Sequence, residues 1–131
     1  MFREAFPILY VADMERSVRF YQGLLGFEKK YQWPLEGTPE YVYLTLGGAG
    51  LGISPRPVAE SLLGRPVCQD DSPKFELCMY TENVDEACEH LTSSGAKLLT
   101  PPKTMPWGER MAHVLDPDGN PIHITGKVKP E

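Results

Sequence analysis

The fold is indicated most clearly by the stretch Tyr10-Val-Ala-Asp-Met-Glu-Arg-Ser-Val-Arg-Phe-Tyr-Gln-Gly-Leu-Leu-Gly-Phe27. It completes a run of β-branched and aromatic residues, 6–12, that is typical of a buried strand. Asp13 then stands at the position of a helix N-cap. After it, apolar side chains recur at helical spacing opposite a charged face, and Gly26 ends the predicted helix. The stretch therefore predicts a strand, a capped amphipathic helix and a return into a second strand.

Three shorter strands are predicted to follow this helix, at about 27–33, 41–46 and 51–54. A glycine-rich turn, 47–50, joins the last two. The next stretch, 55–73, is rich in proline and cannot form a central strand, because proline has no amide N–H to donate. We therefore expect it to be a linker that includes one helical turn, at 59–63.

The same pattern repeats at an offset of about 70 residues. A strand at 75–80 precedes the N-cap Asn83, which takes the place of Asp13. A helix that ends at Gly95 follows. The remaining predicted elements are strands at about 97–100, 110–115 and 121–125, with the turn 116–120 carrying Gly119 at positive φ. The sequence thus predicts one α+β domain, 1–131, made of two tandem βαβββ modules at about 4–54 and 74–126.

Composition and charge restrict the classes of function. The 131 residues are 41% hydrophobic and 24% charged, which is ordinary for a globular domain. A net charge of −5 without a basic run argues against nucleic-acid binding. Neither a membrane span nor a signal peptide is recognisable. The three cysteines form no C-x-x-C pair, so a disulfide framework is not expected and the cytoplasm is the expected location.

Two segments resemble the vicinal-oxygen-chelate superfamily, which includes glyoxalase I, extradiol dioxygenases and bleomycin-resistance proteins. The segment 10–27 is similar to its first strand–helix–strand. The segment Pro106-Trp-Gly-Glu-Arg-Met-Ala-His-Val-Leu-Asp-Pro-Asp-Gly-Asn-Pro121 is similar to its closing hairpin and is nearest to the bleomycin-resistance branch. The resemblance implies curved mixed sheets around a cleft, and a homodimer with two equivalent sites. It identifies the fold better than the activity.

The resemblance also implies where a divalent metal would be held. The family places its ligands at the start of the first strand and on the last strand of each module, positions that correspond here to Phe6, Gly52, Glu76 and His123. The first two offer no ligand atom. The other two can bind a metal, although their order is the reverse of the usual one. Since a catalytic metal needs about three protein ligands, the sequence argues against the metal chemistry of the family.

Two more side chains are candidates for a missing third ligand. Cys78 is predicted on the same strand face as Glu76, and its thiolate would favour zinc. His113 is expected instead to pack in the sheet. The simplest interpretation of Glu76 and His123 is that they hydrogen-bond each other or a ligand, although a bound metal is an open alternative.

Aromatic side chains complete the predicted binding site. Each of the two tryptophans stands beside a proline at the end of a predicted strand, where the rim of a cleft is expected. An aromatic groove binds planar heteroaromatic compounds by stacking, while a few polar groups fix the orientation. We expect Gly52 to open space in its floor. The residues expected to contact the ligand are Phe6, Trp33, Tyr41, Tyr43, Gly52, Glu76, Cys78, Trp107, Arg110 and His123.

Three functions are compatible with these residues. The preferred one is a small-molecule-binding protein of the bleomycin-resistance type, which sequesters an aromatic or peptide-derived antibiotic or metabolite without a metal or other cofactor. Sequestration works by mass action and needs no chelating set. The second is a divalent-metal-dependent lyase, isomerase or dioxygenase that uses Glu76 and His123. The third is a metal-independent enzyme with Glu76 as general base and His123 as its partner.

Overall fold

The computed structural model describes residues 1–67, 70 and 72–128, and the chain forms two compact units, residues 1–70 and 71–131. Each unit holds one four-stranded mixed sheet and its own helices, as the predicted α+β class requires. Within the described residues, no helix is long and apolar enough to cross a membrane.

Unit 1 follows the order predicted for the first module. Its elements are β1 (Ile8–Val11), α1 (Met14–Val18), a π-helical segment (Arg19–Leu24), β2 (Glu28–Trp33), β3 (Tyr41–Leu46), β4 (Ala49–Pro55) and α2 (Arg56–Leu63). The strand order is β1-β4-β3-β2, with β1 parallel to β4 and the other pairs antiparallel. The carboxylate of Asp13 accepts a hydrogen bond from the backbone N of Arg16 at 3.0 Å, which confirms the N-cap.

The proline-rich stretch after β4 forms more structure than predicted. Instead of one turn at 59–63, it forms the eight-residue helix α2. Pro57 lies in the first turn, where the helix does not use its missing amide N–H. Gly64 ends the helix in the left-handed conformation, with φ 69°. The rest of the predicted linker includes positions 68, 69 and 71, which lie outside the described residues.

Unit 2 repeats this topology. Its elements are β5 (Leu77–Tyr80), α3 (Val84–Ser93), β6 (Lys97–Thr104), β7 (Glu109–Leu115) and β8 (Pro121–Lys127), in the sheet order β5-β8-β7-β6. Asn83 caps α3 by accepting from the backbone N of Glu86 at 3.0 Å, and Gly119 has φ 85°, both as predicted. β5 begins at Leu77 instead of position 75, so Glu76 immediately precedes the strand.

The strand predicted at 97–100 extends further, to Thr104, and includes two prolines. This is possible because β6 lies at the edge of the sheet formed by the described residues, so one side of the strand donates no N–H to a neighbouring strand of that sheet. Two shifts of register relative to β7, between Leu98 and Lys103, accompany the prolines.

Alternation along the strands gives each sheet one core face and one open face. In unit 2 the core face carries Ala112, Val114, Ile122 and Ile124, all buried beneath α3. In unit 1 the core face carries Val42, Leu44, Leu51 and Ile53, also buried. The residues between them on the same strands therefore project from the open faces, and most of the candidate functional residues are found there.

Candidate functional site

The open face of the unit 1 sheet is dominated by aromatic side chains. They share this face because Ile8 pairs with Gly52, Gly52 with Tyr43, and Tyr43 with Tyr31 across the four strands. Exposed apolar surface of this extent on a sheet is typical of a binding site or interface. The large side chains on this face are Phe6, Ile8, Tyr10, Tyr31, Trp33, Tyr41 and Tyr43, all exposed or half-buried.

Two glycines of β4 make room for the tyrosine rings of β3. A Cβ at Gly52 would lie 2.8 Å from the hydroxyl of Tyr41 and 3.0 Å from Cγ1 of Ile8, and one at Gly50 would collide with the hydroxyl of Tyr43. The prediction that Gly52 opens space in the floor of a groove is therefore wrong, because the ring of Tyr41 occupies that space. At this point the surface of the sheet is formed by the ring of Tyr41 and not by the backbone of Gly52.

A cavity of about 360 Å³ lies between this aromatic face and α2. Its volume is within the range of about 300–1,000 Å³ that is usual for pockets that hold small organic ligands. Its sheet side includes Ile8, Tyr10, Trp33 and Tyr41, and its helix side includes Val58 and Leu62. Burial raises the pKa of the Tyr41 hydroxyl, and the neighbouring Tyr43 and Tyr31 raise it further, so this ring is neutral at physiological pH.

The predicted site residues of unit 1 divide into two groups. Trp33 and Tyr41 line the cavity, whereas Phe6 and Tyr43 lie on the same face outside its lining and contact each other, with ring centroids 4.8 Å apart. Tyr10 was not among the predicted site residues, although strand alternation from Phe6 places it on this face. The helical wall of the cavity was not predicted either, because the stretch that forms α2 was expected to be a linker with one helical turn.

The open face of unit 2 brings one carboxylate and two imidazoles together. Oε1 of Glu76 is 3.1 Å from Nε2 of His113 and 3.1 Å from Nδ1 of His123. His113 and His123 are direct partners across β7 and β8, and their ring centroids are 4.7 Å apart. The hydroxyl of Thr100 hydrogen-bonds to Nδ1 of His113 at 2.7 Å. His113 thus packs against His123 in the sheet, as expected, and also joins this hydrogen-bonded cluster.

The hydrogen bonds of this cluster define its donors and acceptors. A carboxylate oxygen accepts, so the two contacts with Glu76 place the donating N–H groups at Nε2 of His113 and Nδ1 of His123. Nε2 of His123 is buried and has no hydrogen-bond partner among the described residues, so one ring nitrogen of the cluster is unsatisfied.

The donor set of this cluster fits a divalent transition metal. Two imidazoles and one carboxylate are a common set of three protein ligands for zinc and for non-haem iron. Their ligand atoms all lie within 4.8 Å of one another. Ligand atoms bound to one tetrahedral ion at about 2.1 Å are about 3.4 Å apart. The 3.1 Å from Glu76 to each histidine is near that spacing, whereas the widest separation in the set, within 4.8 Å, would have to shorten around an ion. His113 thus supplies a third donor, from a strand where the family resemblance predicted none.

Cys78 lies next to this cluster on β5, paired with His123. The pKa of its thiol is raised, first by loss of solvent around the sulfur and then by the negative charges of Glu76 and Glu109. The thiol is therefore protonated at neutral pH, which does not favour it as a metal ligand unless a metal displaces the proton.

The other two predicted contacts of unit 2 lie elsewhere. Arg110 shares the core face of β7 with Ala112, and its guanidinium donates to both carboxylate oxygens of Asp85, at 2.5 and 2.8 Å, and to the Thr104 hydroxyl at 3.0 Å. This places it on the opposite side of the sheet from Glu76 and His123, against the expectation that the three act together. Trp107 is exposed in the turn between β6 and β7.

The fold and the repeated topology agree with the comparisons to known proteins. The sequence model of the Glyoxalase/Bleomycin resistance protein/Dioxygenase superfamily matches residues 5–124, and the chain belongs to this superfamily. YraH of Bacillus subtilis (strain 168) is 31% identical over 120 residues, which cover 88% of this chain and 91% of YraH.

Solved structures of the superfamily share this fold. A glyoxalase-related enzyme from Fulvimarina pelagi superimposes with a TM-score of 0.79 at 23% identity, over 96% of this chain and 89% of the other. A superfamily member from Sphaerobacter thermophilus DSM 20745 superimposes with a TM-score of 0.72 at 27% identity, over 96% of this chain and 98% of the other. These similarities confirm the predicted fold class.

Proposed function

We propose that this protein binds and sequesters a small organic molecule, namely an aromatic or peptide-derived antibiotic or metabolite. The observation that carries the proposal is the cavity of unit 1, in which Trp33 and Tyr41 line one side and the apolar side chains of α2 line the other. This cavity combines a suitable volume with a mostly aromatic and aliphatic lining.

The energetic basis of such binding is the removal of apolar surface from water. Trp33 is 54% exposed and Leu62 is 82% exposed, so a ligand between them would cover both. Burial of apolar surface contributes about 25 cal/mol per Å², part of which offsets the loss of motional freedom on association. A planar ligand also gains from stacking on the aromatic rings.

Sequestration by mass action requires no chemistry, so this function does not depend on whether unit 2 holds a metal ion. We also propose that the protein acts as a homodimer in the cytoplasm, as its resemblance to bleomycin-resistance proteins implies. Light scattering during size-exclusion chromatography should then give twice the 14.7 kDa of one chain. A mass of one chain at micromolar concentration would contradict the dimer.

A thermal-shift panel of aromatic and peptide-derived compounds tests the proposed function. A ligand at 100 times its Kd adds about 2.7 kcal/mol to the free energy of unfolding. Trp33→Ala should weaken the binding of any hit by about 10-fold or more, whereas the control Trp107→Ala should not. The proposal fails if no compound raises Tm at concentrations well above micromolar, or if the two variants weaken binding equally.

The cluster of Glu76, His113 and His123 supports a second candidate function, a divalent-metal-dependent lyase, isomerase or dioxygenase. The Glu76 carboxylate and the two imidazoles would hold the ion, and the Thr100 hydroxyl would keep the His113 ring in orientation. When bound, a divalent ion supplies Lewis-acid activation of a substrate oxygen or of water. Without an ion, Glu76 would be a general base hydrogen-bonded to both imidazoles.

Elemental analysis and isothermal titration calorimetry with Zn²⁺, Ni²⁺ and Mn²⁺ test the second candidate. Glu76→Gln, His113→Ala and His123→Ala should each weaken binding by about 10-fold or more. His90→Ala is the matched control, because His90 is exposed on α3. A wild-type protein that binds no stoichiometric ion removes the metal-dependent candidate. An activity that Glu76→Gln leaves intact removes the acid–base one.

A further inference from the structure

We infer that the ligand of the unit 1 cavity is a cation, namely an organic amine or quaternary ammonium compound that carries an aromatic or aliphatic group. This inference rests on the proposed function and names the chemical class of its ligand. The observation that points to a cation is one carboxylate beside aromatic rings in a cavity whose lining is otherwise uncharged and mostly apolar.

Glu40 is the one charged side chain that lines this cavity in the described part of the chain, and no Lys, Arg or His lines it there. Its carboxylate makes no hydrogen bond or ion pair with other described residues. An anionic ligand would meet this charge without a compensating cation. A cationic ligand would gain the interaction that the protein itself leaves unused.

The backbone holds Glu40 beside the aromatic rings. The N–H of Glu40 donates to the carbonyl of Trp33 at 2.7 Å. The next residue, Tyr41, is the direct cross-strand partner of Trp33. The backbone of Glu40 is thus anchored at the end of the hairpin, and its side chain starts next to the two rings that line the cavity.

The rings themselves favour a cation over a neutral group of the same shape. The faces of Trp and Tyr rings carry a negative electrostatic potential that attracts an ammonium group within about 6 Å. Trp33, Tyr41 and Tyr10 all line this cavity. The ring of Tyr41 is also held in place, because it occupies the space above Gly52. A cation would therefore meet, in Tyr41, a ring whose position is restricted before it binds.

The overall charge of the protein is compatible with this ligand class. The chain carries a net charge of −5, and a negative protein raises the local concentration of cations around it. This long-range effect is weak at physiological salt and does not identify the site. The preference for a cationic over a neutral ligand has to come from Glu40 and the aromatic rings. A test must therefore separate their effect from that of the net charge.

The fluorescence of Trp33 reports ligand binding in this test. In a Trp107→Phe background, Trp33 is the one remaining tryptophan of the chain. Its fluorescence is titrated with phenyltrimethylammonium and with tert-butylbenzene, a neutral molecule of the same shape. We expect the cation to bind about 10-fold more tightly, and its affinity to fall as NaCl is raised from about 50 to 500 mM.

Two carboxamide variants then separate Glu40 from the bulk charge. Glu40→Gln should weaken binding of phenyltrimethylammonium by about 10-fold and leave that of tert-butylbenzene unchanged. Glu36→Gln removes the same charge from the same loop, and it is a matched control because Glu36 does not line the cavity. This control should bind both probes as the parent does.

The outcomes distinguish failure of this inference from failure of the proposed function. Equal affinity for the two probes, or equal effects of Glu40→Gln and Glu36→Gln, would overturn the cationic ligand and leave an organic ligand in place. If neither probe nor any compound of the thermal-shift panel changes the fluorescence of Trp33, the proposed function fails and the cationic ligand fails with it.

Discussion

The hydroxyl of Tyr41 lies 2.8 Å from the place where a side chain at Gly52 would begin. Because Gly52 of β4 has no side chain, the ring of Tyr41 from β3 can lie across that strand. The same relationship recurs two residues along each strand, between Tyr43 and Gly50. The aromatic surface of unit 1 depends on these glycines as much as on the rings.

Gly52→Ala should therefore destabilise the protein and weaken ligand binding, because Tyr41 has to move. Overpacking of this kind costs about 1–3 kcal/mol, measurable by urea unfolding. Gly48→Ala is the control, since a Cβ at Gly48 would meet nothing within 4 Å. In a Tyr41→Ala background the cost of Gly52→Ala should shrink. An equal cost in both backgrounds would show that the ring is not the obstacle.

Asn120→Ala should destabilise unit 2 and loosen the position of Glu76. The buried Asn120 side chain accepts from the backbone N of Lys74 at 2.9 Å and donates to Asp116 at 3.0 Å. Lys74 is two residues before Glu76, so this contact anchors the chain that carries the carboxylate. Loss of the two bonds should cost about 1–3 kcal/mol in urea unfolding. Unchanged stability would contradict this anchoring role.

The two N-caps should be equivalent, as the repeated topology requires. Asp13→Ala and Asn83→Ala should each lower the free energy of unfolding by about 0.5–2 kcal/mol, because a backbone N–H at the start of the helix loses its acceptor. The exchanges Asp13→Asn and Asn83→Asp keep an acceptor and serve as controls. Thermal unfolding that is unchanged by either alanine would contradict the assignment of that cap.

The Asp85–Arg110 pair predicts a pH dependence of stability. The hydrogen bond from Arg110 lowers the pKa of the Asp85 carboxyl, so the pair stabilises the folded protein above the usual carboxyl pKa. That contribution is lost as the pH falls through the lowered pKa. Arg110→Met should therefore reduce Tm at pH 7, with a difference that shrinks below about pH 4. A difference that stays constant down to pH 2 would contradict this linkage.

Local chemistry was sufficient to predict most of the fold. Asp13 and Asn83 are caps because their side chains satisfy the first helical N–H groups, and Gly119 turns because it tolerates positive φ. The full length of α2 could not be predicted because a proline-rich stretch usually indicates a linker, although Pro57 is compatible with a first helical turn.

The candidate sites were less predictable, for two different reasons. His113 could have been found, because a hairpin that turns at 116–120 necessarily places His113 opposite His123. Its pairing is thus a consequence of the turn. The cavity of unit 1 could not have been found, because it exists only where α2 returns against the open face of the sheet. Glu40 lines a cavity only because α2 packs there, and no sequence pattern around Glu40 indicates this.

The most direct measurement of the central claim is an aromatic ¹H–¹³C NMR titration of the wild-type protein with the compound that gives the largest thermal shift. We expect saturable changes at the ring resonances of Trp33, Tyr41 and Tyr10, with nuclear Overhauser contacts from the ligand to these rings. Saturable changes that leave these three rings unaffected and appear instead at Trp107 would contradict a ligand site in the unit 1 cavity.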